Sequence, residues 1–290
     1  MHLARCYNEE CLTSVARQRE LRRMVEMPLG QYLRTAQVQA AVKAAKVRPE
    51  ESSPPGVVTR LDRLAADWPD HPAVTYLAGR GYDPTFLGRH WSVGYCRESR
   101  YQFAKDRIYI PIVMRGRLRG WQMRFIGDDV VGLSLHALKI PKYWTDPDFP
   151  RNDCLYNLDR AAAHRSVALV EGVTSAWRIG FQAVACFGKS LAFTQARLLA
   201  STLRMNHGDD VSVAIVLDPD QDSKQRAKGA LHHIEKAWSI LEPLLPGRVF
   251  RVYLPRGTDP GSLSTPEVRR LVLEASVSAG VPFRFGRPSA

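Results

Sequence analysis

"AIVLDPDQDSKQR" (residues 214–226) is an apolar run that stops on a cluster of acids, and "VALVEGVTSAW" (residues 167–177) stops on a single one. An unbroken apolar run of this length reads as a strand buried on both faces, as in a parallel sheet, rather than as an alternating one. The same grammar repeats on either side. "SVALVEG" (166–172) precedes a helix in "TSAWRIG" (174–180), and "AVACFG" (183–188) precedes one in "AFTQARLLASTLRM" (192–205). "VSVAIVLD" (211–218) leads to the long helical stretch "KQRAKGALHHIEKAWSIL" (224–241). "RVFRVYLP" (248–255) leads through "RGTDPGSLS" (256–264) to the helix "TPEVRRLVLEAS" (265–276). Four strand–helix units predict an α/β domain over residues 164–280, a parallel sheet with helices on both faces.

In open α/β sheets, ligands sit beyond the carboxyl ends of the strands. Glu171 ends the first strand, Asp218 the third, and Asp220 follows two residues later. Asp222 extends the series, and Asp259 in "GTDPG" comes off the fourth strand. One such acid is explained well enough as a helix cap. Five at one edge of one sheet are not. If the first and third strands are neighbours, their carboxylates converge and repel, and a hard divalent cation such as Mg²⁺ or Mn²⁺ resolves the conflict.

The rest of the chain supplies the opposite charge. Lys and Arg number 41 against 29 Asp and Glu, a formal net charge of +12, which points to a polyanionic partner such as nucleic acid. Residues 1–56 read as a helical appendage closed by the linker "VRPEESSPPG" (47–56), whose prolines and glycine cannot continue a helix. Residues 57–163 form a basic mixed α/β module: a short helix, a break at Pro69, a second helix stopped by Gly79 and Gly81, then a hairpin in "RIYIPIVMRGRLRGWQMRFIG" turning at "RGR" (115–117). Residues 281–290 are a tail. Cations interleaved with aromatic side chains suit a single strand whose bases stack while its phosphates are held. Lys189 in "CFGKSLA" (186–192) follows a strand and is expected at the acidic rim, with Gly188 allowing close backbone approach.

Other chemistries are poorly represented. Cys6, Cys11, Cys96, Cys154 and Cys186 are odd in number and scattered, so free thiols in a reducing cytoplasm are expected. "CYNEEC" (6–11) has no second Cys/His pair at zinc spacing, and no zinc is predicted. No G-x-S-x-G elbow occurs; His232 and His233 are adjacent in a helical stretch, and the other six histidines are dispersed. No stretch approaches the ~20 apolar residues of a membrane span, and "MHLARCYNEE" lacks a secretory core; no membrane partner is expected.

In this order "YLAGRGYD" (76–83), "FLGRHWSVGY" (86–95), "DRIYIPIV" (106–113), "GRLRGWQMR" (116–124), "PKYW" (141–144), "LYNLDRA" (155–161), "VALVEGVTSAW", "AVACFGKSLAFTQARLL" (183–199), "AIVLDPDQD" and "YLPRGTDP" (253–260) resemble the catalytic core of the bacterial replicative (DnaG-type) DNA primases. The second module resembles a Toprim domain. The resemblance implies a metal centre on Glu171, Asp218 and Asp220, with Asp259 and Asp222 adding to it. It implies basic contacts to nucleic acid or nucleotide at Lys105 or Arg107, Arg119, Arg124 and Lys142, with Lys189 near the metal. It implies RNA primer synthesis on single-stranded DNA from ribonucleoside triphosphates, with a replicative helicase or a separate zinc-ribbon protein as further partners. The chain departs from the family pattern at Ser175, where an Asp is usual, at Lys189, where Thr is usual, and in the absent zinc ribbon. A Toprim nuclease and a non-catalytic nucleic-acid-binding accessory are the alternatives.

Overall fold

The computed structural model describes residues 51–127, 140–217, 230–255 and 257–286, and the backbone of 129–130 and 133–134. Asp218, Asp220, Asp222, "CYNEEC" and residues 1–50 lie outside the described residues.

Five strands make an antiparallel sheet: β1 (Gly56–Arg60), β2 (Gly94–Ser99), β3 (Arg107–Met114), β4 (Arg117–Arg124) and β7 (Tyr143–Thr145), side by side in the order β1-β2-β3-β4-β7. The short pair β5 (Asp129–Val130) and β6 (Leu133–Ser134) stands apart from it. Hairpin β3–β4 turns on Arg115 and Gly116, both at positive φ (56° and 70°), with Met114 paired to Arg117. Two left-handed residues give a turn whose twist matches the flanking strands, and Gly116 makes the second one cheap. Strand alternation then sorts the side chains. Ile108, Ile110 and Ile112 face the main core, while Tyr109, Trp121 and Met123 form a second apolar cluster with Cys96 and Ala104.

Between β1 and β2 come helices α1 (Leu61–Asp67), α2 (Pro72–Gly79) and α3 (Pro84–Trp91). Two of these early elements differ from the sequence expectation. β1 stands where the linker was expected to give way to a helix, and α3 was not expected. α3 starts on Asp83, whose carboxylate accepts from the amides of Thr85 and Phe86, with Pro84 in the first turn.

After a one-turn helix α4 (Leu158–Ala161), the second sheet is parallel: β8 (Ser166–Val170), β9 (Ala183–Ala185), β10 (Ser212–Val216) and β11 (Val249–Arg251), in the order β11-β10-β8-β9. Every residue of β8 and β10 is buried, so both faces of the sheet are covered. The cover comes from α5 (Val173–Ile179) packed with α8 (Thr265–Ala279), and from α6 (Phe193–His207) packed with α7 (Ala230–Leu241). The strands are shorter than the apolar runs suggested; in "AVACFG" only 183–185 pair as a strand. The fold is thus a mixed α/β arrangement of one antiparallel and one parallel sheet flanked by helices, and one apolar cluster joins the two.

Candidate metal centre

The first and third strands of the parallel unit are neighbours. β8 and β10 pair in register from Ser166 opposite Ser212 to Val170 opposite Val216. Glu171 therefore comes one position after the last paired residue of β8, and Leu217 comes at the same step after β10. Glu171 is half-buried. Asp218 is the next residue in the chain after Leu217 and lies outside the described residues, as do Asp220 and Asp222.

The loop after β9 closes over the end of β8. The Gly188 amide donates to the Glu171 carbonyl at 3.2 Å, and the Cys186 amide to the Val170 carbonyl at 3.1 Å. The Cys186 thiol donates to the carbonyls of Val170 (3.4 Å) and Gly188 (3.1 Å). Burial pushes this thiol up to about 12, with the Glu171 charge adding in the same direction. The Arg151 guanidinium donates to the Phe187 carbonyl, and any Cβ on residue 188 would run into that guanidinium. That guanidinium is a flexible end that could shift, but φ of 158° at residue 188 is a backbone conformation that L side chains rarely adopt, which favours glycine. Lys189 follows on an exposed bend, so its backbone is brought beside Glu171.

Asp259 lies in a loop that packs on the start of α5. Its loop is a closed turn: the Ser262 amide donates to Asp259 Oδ1 at 2.8 Å, and the Asp259 amide to Ser262 Oγ at 3.0 Å. A Cβ built on Gly261 would stand 3.6 Å from the Tyr82 hydroxyl and 3.8 Å from Thr174 Oγ1. Thr174 is in the first turn of α5, three residues past Glu171. Arg178 holds this arrangement from beneath. Its guanidinium lies 4.2 Å from the Tyr82 ring centre and donates to the carbonyls of Gly81 (3.0 Å), Arg80 (2.7 Å) and Gly261 (3.3 Å). Burial, ahead of the charges around it, raises the Tyr82 phenol, so it stays a hydrogen-bond donor, and it donates to the Thr174 carbonyl at 3.2 Å.

The antiparallel sheet reaches the same turn through Arg124. Its guanidinium donates to the Tyr143 hydroxyl at 2.7 Å and to the Tyr76 hydroxyl at 2.6 Å. Tyr143 in turn lies 3.4 Å from Thr174 Oγ1. Burial works against the Arg124 charge, but the phenol oxygens of Tyr143 and Tyr76 outweigh it and its pKa is raised.

The six expected basic contacts divide into two groups. Lys105, Lys142 and Lys189 are exposed. Arg124 is 2 % exposed and Arg107 is 3 % exposed. Arg107 donates to the Pro141 carbonyl at 2.6 Å and lies 5.2 Å from the Phe125 ring centre; burial lowers its pKa. Arg119 is half-buried and reaches the Cys154 thiol. Tyr76, Tyr82, Tyr143, Thr174 and Arg178 were absent from the sequence-based set. No motif marks them, since each acts by where the packing puts it. Ser175 is 4 % exposed on α5, a position where a carboxylate would need compensating charge.

Among the described residues, no three His, Cys, Asp or Glu side chains gather as a metal site. The acids that could complete one with Glu171 and Asp259 are those of "DPDQD" (218–222), outside the described set. The donor set as written in the sequence is all carboxylate, which fits Mg²⁺ or Mn²⁺ and not zinc.

No protein-family model and no curated protein matches the sequence. In structure, the chain is similar to the RNA polymerase domain of Mycobacterium tuberculosis primase DnaG, with a TM-score of 0.55 and 20% identity over 73% of this chain and 79% of that one. The same domain solved with a double-stranded DNA oligomer carrying a 6-nucleotide overhang gives a TM-score of 0.53 at 18% identity, covering 73% and 76%. The fold is primase-like. The primase fragment of the bacteriophage T7 primase-helicase protein is also similar, with a TM-score of 0.43 and 15% identity over 69% and 72%. Within this primase-like fold, the strand ends at 171 and 217 are neighbours, and the loop of Asp259 packs through Gly261 on Thr174 of α5. No described helix is long and apolar enough to cross a membrane.

Proposed function

We propose that the chain is a DNA primase core that synthesises short RNA on single-stranded DNA, with its parallel unit acting as a Toprim-type metal domain. The observation that carries the reading is the in-register pairing of β8 with β10, which sets Glu171 and the approach to Asp218 on neighbouring strands of a primase-like fold.

Glu171, Asp218 and Asp220 would hold one or two Mg²⁺ or Mn²⁺ ions, with Asp259 and Asp222 extending the site. A bound ion there supplies Lewis-acid stabilisation of phosphate charge and a lowered pKa for the attacking hydroxyl. The chain's own residues do the rest. A primer 3′-hydroxyl attacks the α-phosphorus of a ribonucleoside triphosphate; the new P–O bond forms as the bond to pyrophosphate breaks, and the hydroxyl proton leaves to solvent. Lys189 and Lys142 neutralise phosphate oxygens. Lys105 holds the template backbone, and Arg107, Arg119 and Arg124 contribute positive potential from positions that are buried or half-buried. A helicase or zinc-ribbon partner would dock on other surfaces, and a reducing cytoplasm suits the free buried thiols of Cys96, Cys154 and Cys186.

The test is incubation of the protein with labelled ribonucleotides and single-stranded DNA in Mg²⁺ or Mn²⁺. Oligoribonucleotide product from wild type, and none from Asp218→Ala with DNA binding kept, is the expected result. Cut template in place of product would establish the nuclease reading. DNA binding that is equal in wild type and variant, with product from neither, would establish the accessory reading.

A further inference from the structure

The parallel sheet has a second end. At the amino ends of β8 and β10, about 16 Å along the strand from Glu171, lies a cavity of 540 Å³ formed with the returning segment 282–286. That volume is in the range of small-ligand sites. Its lining is cationic. Arg165 bonds Asp210 across the opening, but Arg248 and Arg284 have no carboxylate partner among the described residues.

The floor points the same way. Ser166 and Ser212, 7 % and 3 % exposed, share a 3.0 Å hydroxyl–hydroxyl bond, and the Arg284 amide donates to Ser166 Oγ at 3.1 Å. Two hydroxyls have two protons, and one is spent between them. Whichever way that bond runs, one buried O–H is left without a hydrogen-bonded acceptor among the described residues. Such a proton asks for a lone pair, and the arginines ask for negative charge. The wall is closed by Phe285, half-buried, with the Arg269 guanidinium 5.0 Å from one side of its ring and Phe283 edge-on at 5.1 Å. Gln182 fastens this wall: its amide donates to the carbonyls of Ser166 (2.8 Å) and Arg284 (2.9 Å), and it accepts from the Gly286 amide.

We propose that this cavity binds a phosphate-bearing anion of nucleotide size, phosphates on Arg248 and Arg284 and base or sugar against Phe285. It is a site separate from the acidic rim, and it needs no divalent ion because the protein supplies the positive charge. A compact pocket with an aromatic wall favours a free nucleotide over a nucleic-acid strand, which tracks along extended grooves.

The experiment is calorimetric titration of the full chain in EDTA with ATP, pyrophosphate and adenosine. ATP is expected to bind one to one, pyrophosphate to compete, and adenosine to give no heat. R248A/R284A, at one half-buried and one exposed position and checked for an unchanged melting temperature, should weaken ATP by at least about tenfold. E171Q should bind as wild type does. Unchanged ATP affinity in R248A/R284A, or its loss in E171Q, overturns the proposal. So does an oligo(dT) strand that binds through these arginines when ATP does not. Because the titration excludes divalent metal and monitors no synthesis, a chain that proves unable to make primers leaves the result intact.

Discussion

Tyr143 and Thr174 meet hydroxyl to hydroxyl at 3.4 Å, and this contact joins the antiparallel sheet to the first turn after Glu171. Tyr143 is on β7 and also accepts from Arg124 of β4; Thr174 is on α5 and also accepts from Tyr82 through its carbonyl. A buried charge in one sheet is therefore coupled, through the Tyr143 phenol, to the turn that follows the candidate metal ligand. Networks of this kind are costly to leave partly satisfied.

Removing one oxygen from that chain tests it. Tyr143→Phe removes one acceptor from the buried Arg124 guanidinium and should lower stability by about 2 kcal/mol. The readout is the midpoint shift in urea at an unchanged slope. Ribonucleotide KM should rise as well if the turn at 174 positions the rim.

Arg178→Met keeps the aliphatic bulk on Tyr82 but deserts three carbonyls, those of Arg80, Gly81 and Gly261. The loop carrying Asp259 should loosen before the rest of the fold. Amide exchange at residues 257–262 is expected to accelerate while that of β8 and β10 stays slow; equal protection in variant and wild type would remove Arg178 from the account of the loop.

Lys142 is exposed beside the buried Arg124, its carbonyl accepting from the Phe125 amide. If it contacts a template phosphate, Lys142→Ala weakens DNA binding evenly across sequences. The slope of log affinity against log salt then falls by about 1. An unchanged slope strikes it from the contacts.

Cys186 gives a pH signature. Its thiol is raised from an ordinary 9.0 to about 12, chiefly by burial. Above pH 9 the unfolded thiol ionises while the native one keeps its proton, so the native state binds more protons and stability falls as pH rises. The loss runs from about pH 9 to about pH 12 and amounts to about 1.4 kcal/mol per pH unit. It is read as the difference between wild type and Cys186→Ala over that window, and native protein should resist thiol reagents at pH 8.

The parallel half was legible because burial on both faces leaves an apolar run that no helix of that length would show. Glu171 and Asp259 stood out by following such runs. What the sequence could not tell was which cations are buried. In "RLRGWQMR" three arginines look alike, yet a register shift between Ile112 and Val113 and the pairing of Arg124 with Tyr143 send them to different surroundings. Tyr76, Tyr82 and Arg178 come from distant points in the chain and meet only through packing. α3 did have a local signal, the Asp-Pro start at 83–84, hidden by the Gly and His that follow. β1 is five residues long, mostly exposed and directly behind a Pro-Pro-Gly break, too little to mark a strand.

The shared apolar cluster has a practical corollary for dissecting the molecule. Trp91 lies 5.3 Å from Phe181, Tyr82 meets Trp177 edge-on at 5.7 Å, and Phe86 lies 5.9 Å from Phe181. Cutting the chain near residue 163 would expose these rings on both fragments. Neither piece should be expected to stay monodisperse when expressed by itself, and complementation from separately produced halves would depend on their meeting before they aggregate.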